Sequence, residues 1–93
     1  MKNKIYGIYD QAAECYVQFI PCQNEAVARM TFEKFYKDRR LNVSMLYDYP
    51  NLYDVRLLAI FDDNTGRFEN VELQDMLLNF GSLLVEKTET VSV

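Results

Sequence analysis

At 93 residues the chain is one domain's worth of sequence, and surface scaling lets a chain of this size bury about two-thirds of its unfolded surface, enough for one modest core. Hydrophobic residues make up 49% and charged residues 26%, with three glycines and two prolines; this is globular composition with little room for linkers, so a single domain over residues 1–93 is expected. The net charge of −4 weighs against broad coating of a polyanion, because phosphate binding is driven by counterions released to many Lys and Arg.

In chain order, Lys4-Ile5-Tyr6-Gly7-Ile8-Tyr9 and Cys15-Tyr16-Val17-Gln18-Phe19-Ile20 are rich in β-formers, and the short polar stretch Asp10–Glu14 between them suits a hairpin. Pro21 is expected to stop the second strand. Asn24 is a good N-cap, with Glu25 well placed in a first turn. No Gly or Pro interrupts residues 25–38, where Ala28, Phe32, Phe35 and Arg39 set a helical rhythm broadened by Val27, Met30 and Thr31. Residues 41–53 read as an irregular connection with a turn at Tyr49-Pro50-Asn51. Asp54–Phe61 is apolar on both faces except at Arg56, as a central strand would be. Asp62-Asp63-Asn64-Thr65-Gly66 supplies turn chemistry, and Arg67–Val71 alternates in return. A short helix over Leu73–Asn79 and an extended Leu83-Leu84-Val85 are expected next, with residues 86–93 disordered. The order ββαββ predicts an α+β fold: a mostly antiparallel sheet of about four strands packed with one principal helix.

The chain has no histidine, which removes the usual general base and the commonest metal ligand. No glycine-rich phosphate cradle is present. Cys15 and Cys22 lie seven apart, a spacing that fits neither a C-x-x-C redox pair nor a zinc knuckle, so two reduced thiols in a cytosolic protein are expected. The turn at 62–66 lacks the ligand spacing of a calcium loop. The expectation is therefore a protein that is not an enzyme, with no catalytic residues, no metal site and no cofactor. No apolar run approaches the roughly 20 residues that cross a bilayer, and Lys2 and Lys4 are followed by no signal-peptide core.

Charge is unevenly placed. Residues 1–47 carry seven basic and five acidic side chains, a balance of +2; residues 48–93 carry three and nine, a balance of −6. Residues 29–40 alone hold five basic and two acidic side chains, or +3, as either a solvated helix end completing its dipole or a phosphate-binding patch. Seven tyrosines and six phenylalanines serve a small core, and exposed ones can stack on unpaired bases. Phe19, Phe32, Phe35 and Phe61 are assigned to the core; the tyrosines suit half-exposed sites.

Taken together, Lys4-Ile5-Tyr6-Gly7-Ile8-Tyr9-Asp10, then Asn24 and Ala28-Arg29, then Phe61-Asp62-Asp63-Asn64-Thr65-Gly66 resemble, over roughly residues 4–70, the small nonstructural protein of gokushoviruses, microvirus phages with single-stranded DNA genomes. The resemblance implies a phage protein made in the bacterial host cytoplasm and absent from the capsid. It implies DNA binding, and a part in turning replication from duplex toward single-stranded genome synthesis. It carries over no catalytic residue. On this basis Arg29, Lys34, Lys37, Arg39 and Arg40 are the candidate phosphate contacts, and Tyr6, Tyr9, Tyr16 and Tyr36 the candidate base platforms. A homodimer is expected, since symmetric association covers strand edges and doubles a patch. The rival expectation is an interaction module that binds a host or phage replication protein through its acidic half and aromatic surface.

Overall fold

A computed structural model describes residues 1–83. The elements are β1 (Lys2–Asp10), β2 (Cys15–Cys22), α1 (Glu25–Lys37), α2 (Ser44–Asp48), a single 3-10 turn at Pro50–Leu52, β3 (Tyr53–Asp62), β4 (Arg67–Asn70) and β5 (Met76–Asn79). Helical backbone begins again at residues 80–83. The fold is the expected α+β architecture with one open antiparallel sheet.

Strands run in the order β2-β1-β3-β4, and β5 also pairs with β3. β4 takes Ala59–Asp62 and β5 takes Asp54–Arg56, so the two short strands lie end to end along one edge of β3. β1 is flanked on both sides from Lys4 to Asp10: Gly7 faces Phe19 in β2 and Arg56 in β3. Gly66, at φ 73°, closes the β3–β4 turn with its N–H on the Asp62 carbonyl, 2.8 Å away.

Side chains alternate across a strand, and that alternation sorts the sheet into two faces. Tyr6 and Ile8 of β1, Ile20 and Cys22 of β2, and Val55 and Leu57 of β3 share the face that α1 covers with Ala28 and Phe32. Leu41, Leu46 and Phe80 close this core. The opposite face carries Gly7, Tyr9, Tyr16 and Arg56 and, among the described residues, has no helix over it.

Helix α1 starts where its cap dictates: the Asn24 side chain accepts the Val27 N–H at 2.9 Å. It ends in a Schellman turn, with the Arg39 N–H on the Tyr36 carbonyl and the Arg40 N–H on that of Phe35, and Arg39 in the left-handed region at φ 54°.

Several expectations need correction. Residues 73–79 do not form a helix: Met76–Asn79 is β5, because the first half of β3 would otherwise present an unpaired edge. Pro21 does not stop β2, which continues to Cys22; β2 is an edge strand, where a missing N–H is tolerated. The 41–53 connection contains α2 and the 3-10 turn, anchored by buried Leu41, Leu46 and Pro50. Phe32 and Phe35 join the core or pack on it. Phe19 does not; it is 67% exposed, and Phe61 is half-buried on the sheet. The expected extension at Leu83–Val85 and disorder at 86–93 fall, beyond Leu83, outside the described residues.

Candidate functional site on the open face of the sheet

Two pairs of rings sit on the uncovered face. Tyr9 and Tyr16 are cross-strand partners, edge to face with centroids 4.9 Å apart. Phe61 and Phe68 are partners across β3 and β4, at 4.8 Å. Phe68 is 67% exposed. Phe19 lies opposite Gly7. Gly7 allows a close approach: a Cβ there would stand 2.6 Å from Leu58 Cδ1 and 3.0 Å from Tyr16 Cδ1, so those side chains would have to shift.

Arg56 organises the polar part of this face. Its guanidinium sits 4.2 Å from the Tyr9 ring centroid, and its Nη2 donates to Asp54 Oδ2 at 3.1 Å. Partial burial works against its charge, but hydrogen bonds to Asp54 and Tyr16 outweigh that and raise its pKa. Asp54 is buried, at 4% exposure, and fully engaged: Gln11 Nε2 donates to Oδ2 at 3.0 Å and Asn79 Nδ2 to Oδ1 at 2.7 Å. The Tyr16 hydroxyl donates to Gln74 Oε1 at 2.7 Å. A charge-neutral pair thus sits beneath the Tyr9 ring, next to its partner Tyr16.

The candidate residues named from sequence are divided by the sheet. Tyr9 and Tyr16 are on the open face. Tyr6 is 3% exposed on the helix side, and burial raises its phenol's pKa; it is a core residue and no platform for a base. Tyr36 is half-buried, stacked on Tyr47 at 5.6 Å and tilted against Phe80 at 5.3 Å, so its ring is already occupied. The five cations are exposed but lie in or just after α1, on the other side of the sheet from Tyr9 and Tyr16. Three are partly satisfied there: Arg29 by Glu25 at 4.0 Å, Lys37 by Glu33 at 2.7 Å, and Arg39 over the Tyr47 ring at 4.9 Å.

Sequence reasoning missed Phe19, Phe61 and Phe68 as surface aromatics and Arg56 as their anchor. Parity was the available signal. Tyr9 and Tyr6 are three apart, hence on opposite faces of one strand, and Asp54 and Arg56 are two apart, hence neighbours on one face. Asp62 and Asp63 serve the turn: Asp62 Oδ1 accepts the Asn64 N–H at 3.0 Å, and Asp63 Oδ1 accepts from the Met1 amino group at 2.7 Å. That ion pair holds the Asp63 carboxyl below its ordinary range.

The family model described as Phage ORF5 protein matches residues 3–83. The chain belongs to this family. The match takes in every strand of the sheet and the whole of α1, so the open face and its rings lie within the Phage ORF5 protein region. No curated protein and no solved structure matches the chain. Among the described residues, no helix is long and apolar enough to cross a membrane.

Proposed function

We propose that this phage protein binds single-stranded DNA without catalysing a reaction, and that the open face of the sheet receives the bases. The observation that carries the reading is the set of outward aromatic rings on a sheet uncovered on that side, Phe19 and Phe68 above all. Bases stack on rings so presented, each contributing about 1–3 kcal/mol, with little sequence preference because every base has a π-face. A protein that holds the single strand disfavours its return to duplex, and this is how it would turn phage genome replication toward single-stranded product in the host cytoplasm, as in the gokushoviruses it resembles.

One observation favours a second reading, an interaction module for a replication protein. Among the described residues, Arg56 is the one cation that strand register places on the open face, and Asp54 neutralises it. Phosphate attraction on this face is therefore weak.

A fluorescence-anisotropy titration with a single-stranded oligonucleotide at several salt concentrations decides between them. Replacing Phe19 and Phe68 together by Ala is expected to weaken binding by roughly tenfold or more. The slope of log affinity against log salt is expected near about −0.7, one phosphate contact. Replacing Lys34, Lys37, Arg39 and Arg40 together by Ala should leave both nearly unchanged. A slope near about −3 that this fourfold variant flattens would move the site to the helix end. No binding at low salt and micromolar protein would leave the interaction module.

A further inference from the structure

The rings of the open face are not equally free. Tyr9 has the Arg56 guanidinium over it and Tyr16 packed edge to face against it, and the Tyr16 hydroxyl is committed to Gln74. Among the described residues, the rings left exposed on this face are Phe19 and Phe68, each at 67%; half-buried Phe61 props Phe68 from 4.8 Å. Register sets the two free rings at opposite corners. Phe19 stands across from Gly7 of β1, while Phe68 stands across from Phe61, itself level with Asn3 of β1. They are four residues apart along the sheet and three strand spacings apart across it. At ~3.3 Å per residue and ~4.8 Å per strand, that is a diagonal of roughly 20 Å. The floor between them is aliphatic and half-buried: Ile5, Ala59 and the Leu58 side chain that overlies Gly7.

We propose, on the single-strand reading of this face, that the strand crosses it along this diagonal and is held at two points. One base stacks on Phe19 and another on Phe68, with the nucleotides between them drawn out over the aliphatic floor, a footprint of about four nucleotides. Stacked bases rise about 3.4 Å each, so a strand left stacked needs about seven nucleotides to join the two rings. A strand pulled out to about twice that rise needs about four. The floor selects the drawn-out form. A stacked column would meet the sheet with base edges, and Ile5, Leu58 and Ala59 offer those edges no hydrogen-bonding side chain. Bases laid flat bury apolar area on the same three residues. They gain no π-stacking there, so affinity is concentrated in the first and last of the four bases.

Unlabelled oligothymidylates of two to eight nucleotides, competing at low salt against a fluorescent twelve-nucleotide strand and read by anisotropy, test the footprint. The affinity of the wild type is expected to step up roughly tenfold when the oligomer first reaches both rings, at about four nucleotides, and to change little beyond. In the four-nucleotide strand an abasic residue at either end should weaken binding roughly tenfold, and at either internal position less than about threefold. Phe19→Ala should keep its circular-dichroism spectrum, because an exposed ring is removed, and should lose the step at four. In that variant one terminal abasic residue should cost nothing further while the other still costs its full amount. A step at about seven nucleotides overturns the drawn-out path. An even climb with length, or internal abasic residues as costly as terminal ones, overturns the two-point seating. Each of those outcomes leaves single-strand binding itself in place. Failure of the twelve-nucleotide strand to bind overturns the single-strand reading and the footprint with it.

Discussion

Asp54 is an acid buried inside the sheet, and its carboxyl oxygens accept from three donors: Gln11, Arg56 and Asn79. Those donors come from the β1–β2 turn, from β3 itself and from β5, so a single carboxylate ties together parts far apart in sequence. Removing it strands Arg56, whose side chain is only 31% exposed, and leaves the Gln11 and Asn79 amides with the Asn51 carbonyl as their shared remaining acceptor. Asp54→Ala is therefore expected to cost about 1–3 kcal/mol, the desolvation penalty of unpaired partners, read as a drop in the urea midpoint with an unchanged slope. Arg56→Met should cost less, since Gln11 and Asn79 still satisfy the acid. At this scale the sequence was half legible. Arg56 stood out as the lone charge in an apolar strand, and its parity with Asp54 was there to read. Which face lay open was not, because that depends on where α1 docks. Tyr6 and Tyr9 look alike in a β-rich run, and the helix alone makes one a core residue and leaves the other on the surface.

Helix α1 was legible almost to the residue. Its start is a side-chain hydrogen bond from a residue type selected for that purpose, and Asn24→Ala is expected to lower stability by about 1 kcal/mol, while Asn24→Gly should cost only a few tenths. Thermal melts of the two variants measure the difference, and equal losses would mean that the cap bond contributes nothing. The β1–β2 hairpin was readable from the short polar connection Asp10–Glu14, and the β3–β4 turn from its Asp, Asn and Gly content. β5 was not. Nothing in Met76-Leu77-Leu78-Asn79 prefers strand over helix; its conformation follows from the free edge of β3 between Asp54 and Arg56, a tertiary demand that overrides weak local preference. Phe19 and Phe61 were misassigned for a related reason. An apolar ring in a strand is usually buried, and only an uncovered sheet face leaves it in water.

Across the whole molecule, the core places several ionisable groups where they must remain protonated. Burial raises the pKa of Tyr6, Tyr36, Tyr53 and Cys22. A group held more tightly protonated in the folded state contributes stability that is complete below its unfolded pKa and lost as pH rises through the raised folded value. Stability should therefore begin to fall above about pH 8.5, the ordinary thiol value, and more steeply above about pH 10, where exposed phenols ionise. Urea midpoints from neutral to alkaline pH measure this, and tyrosinate absorbance should show three of the seven tyrosines ionising late. A flat stability profile across that range would contradict the burial of these rings. The sheet's connectivity also sets a timetable. β1 sits centrally, yet its pairing with β3 begins with Asp10 against Tyr53, 43 residues apart (53 minus 10). At the roughly 5–20 residues per second of synthesis, β1 leaves the ribosome about 2–9 s before its second neighbour exists. A two-stranded hairpin is marginal alone, so through those seconds the nascent chain exposes a hydrogen-bonding edge and its rings together, and chaperone capture would act in that interval.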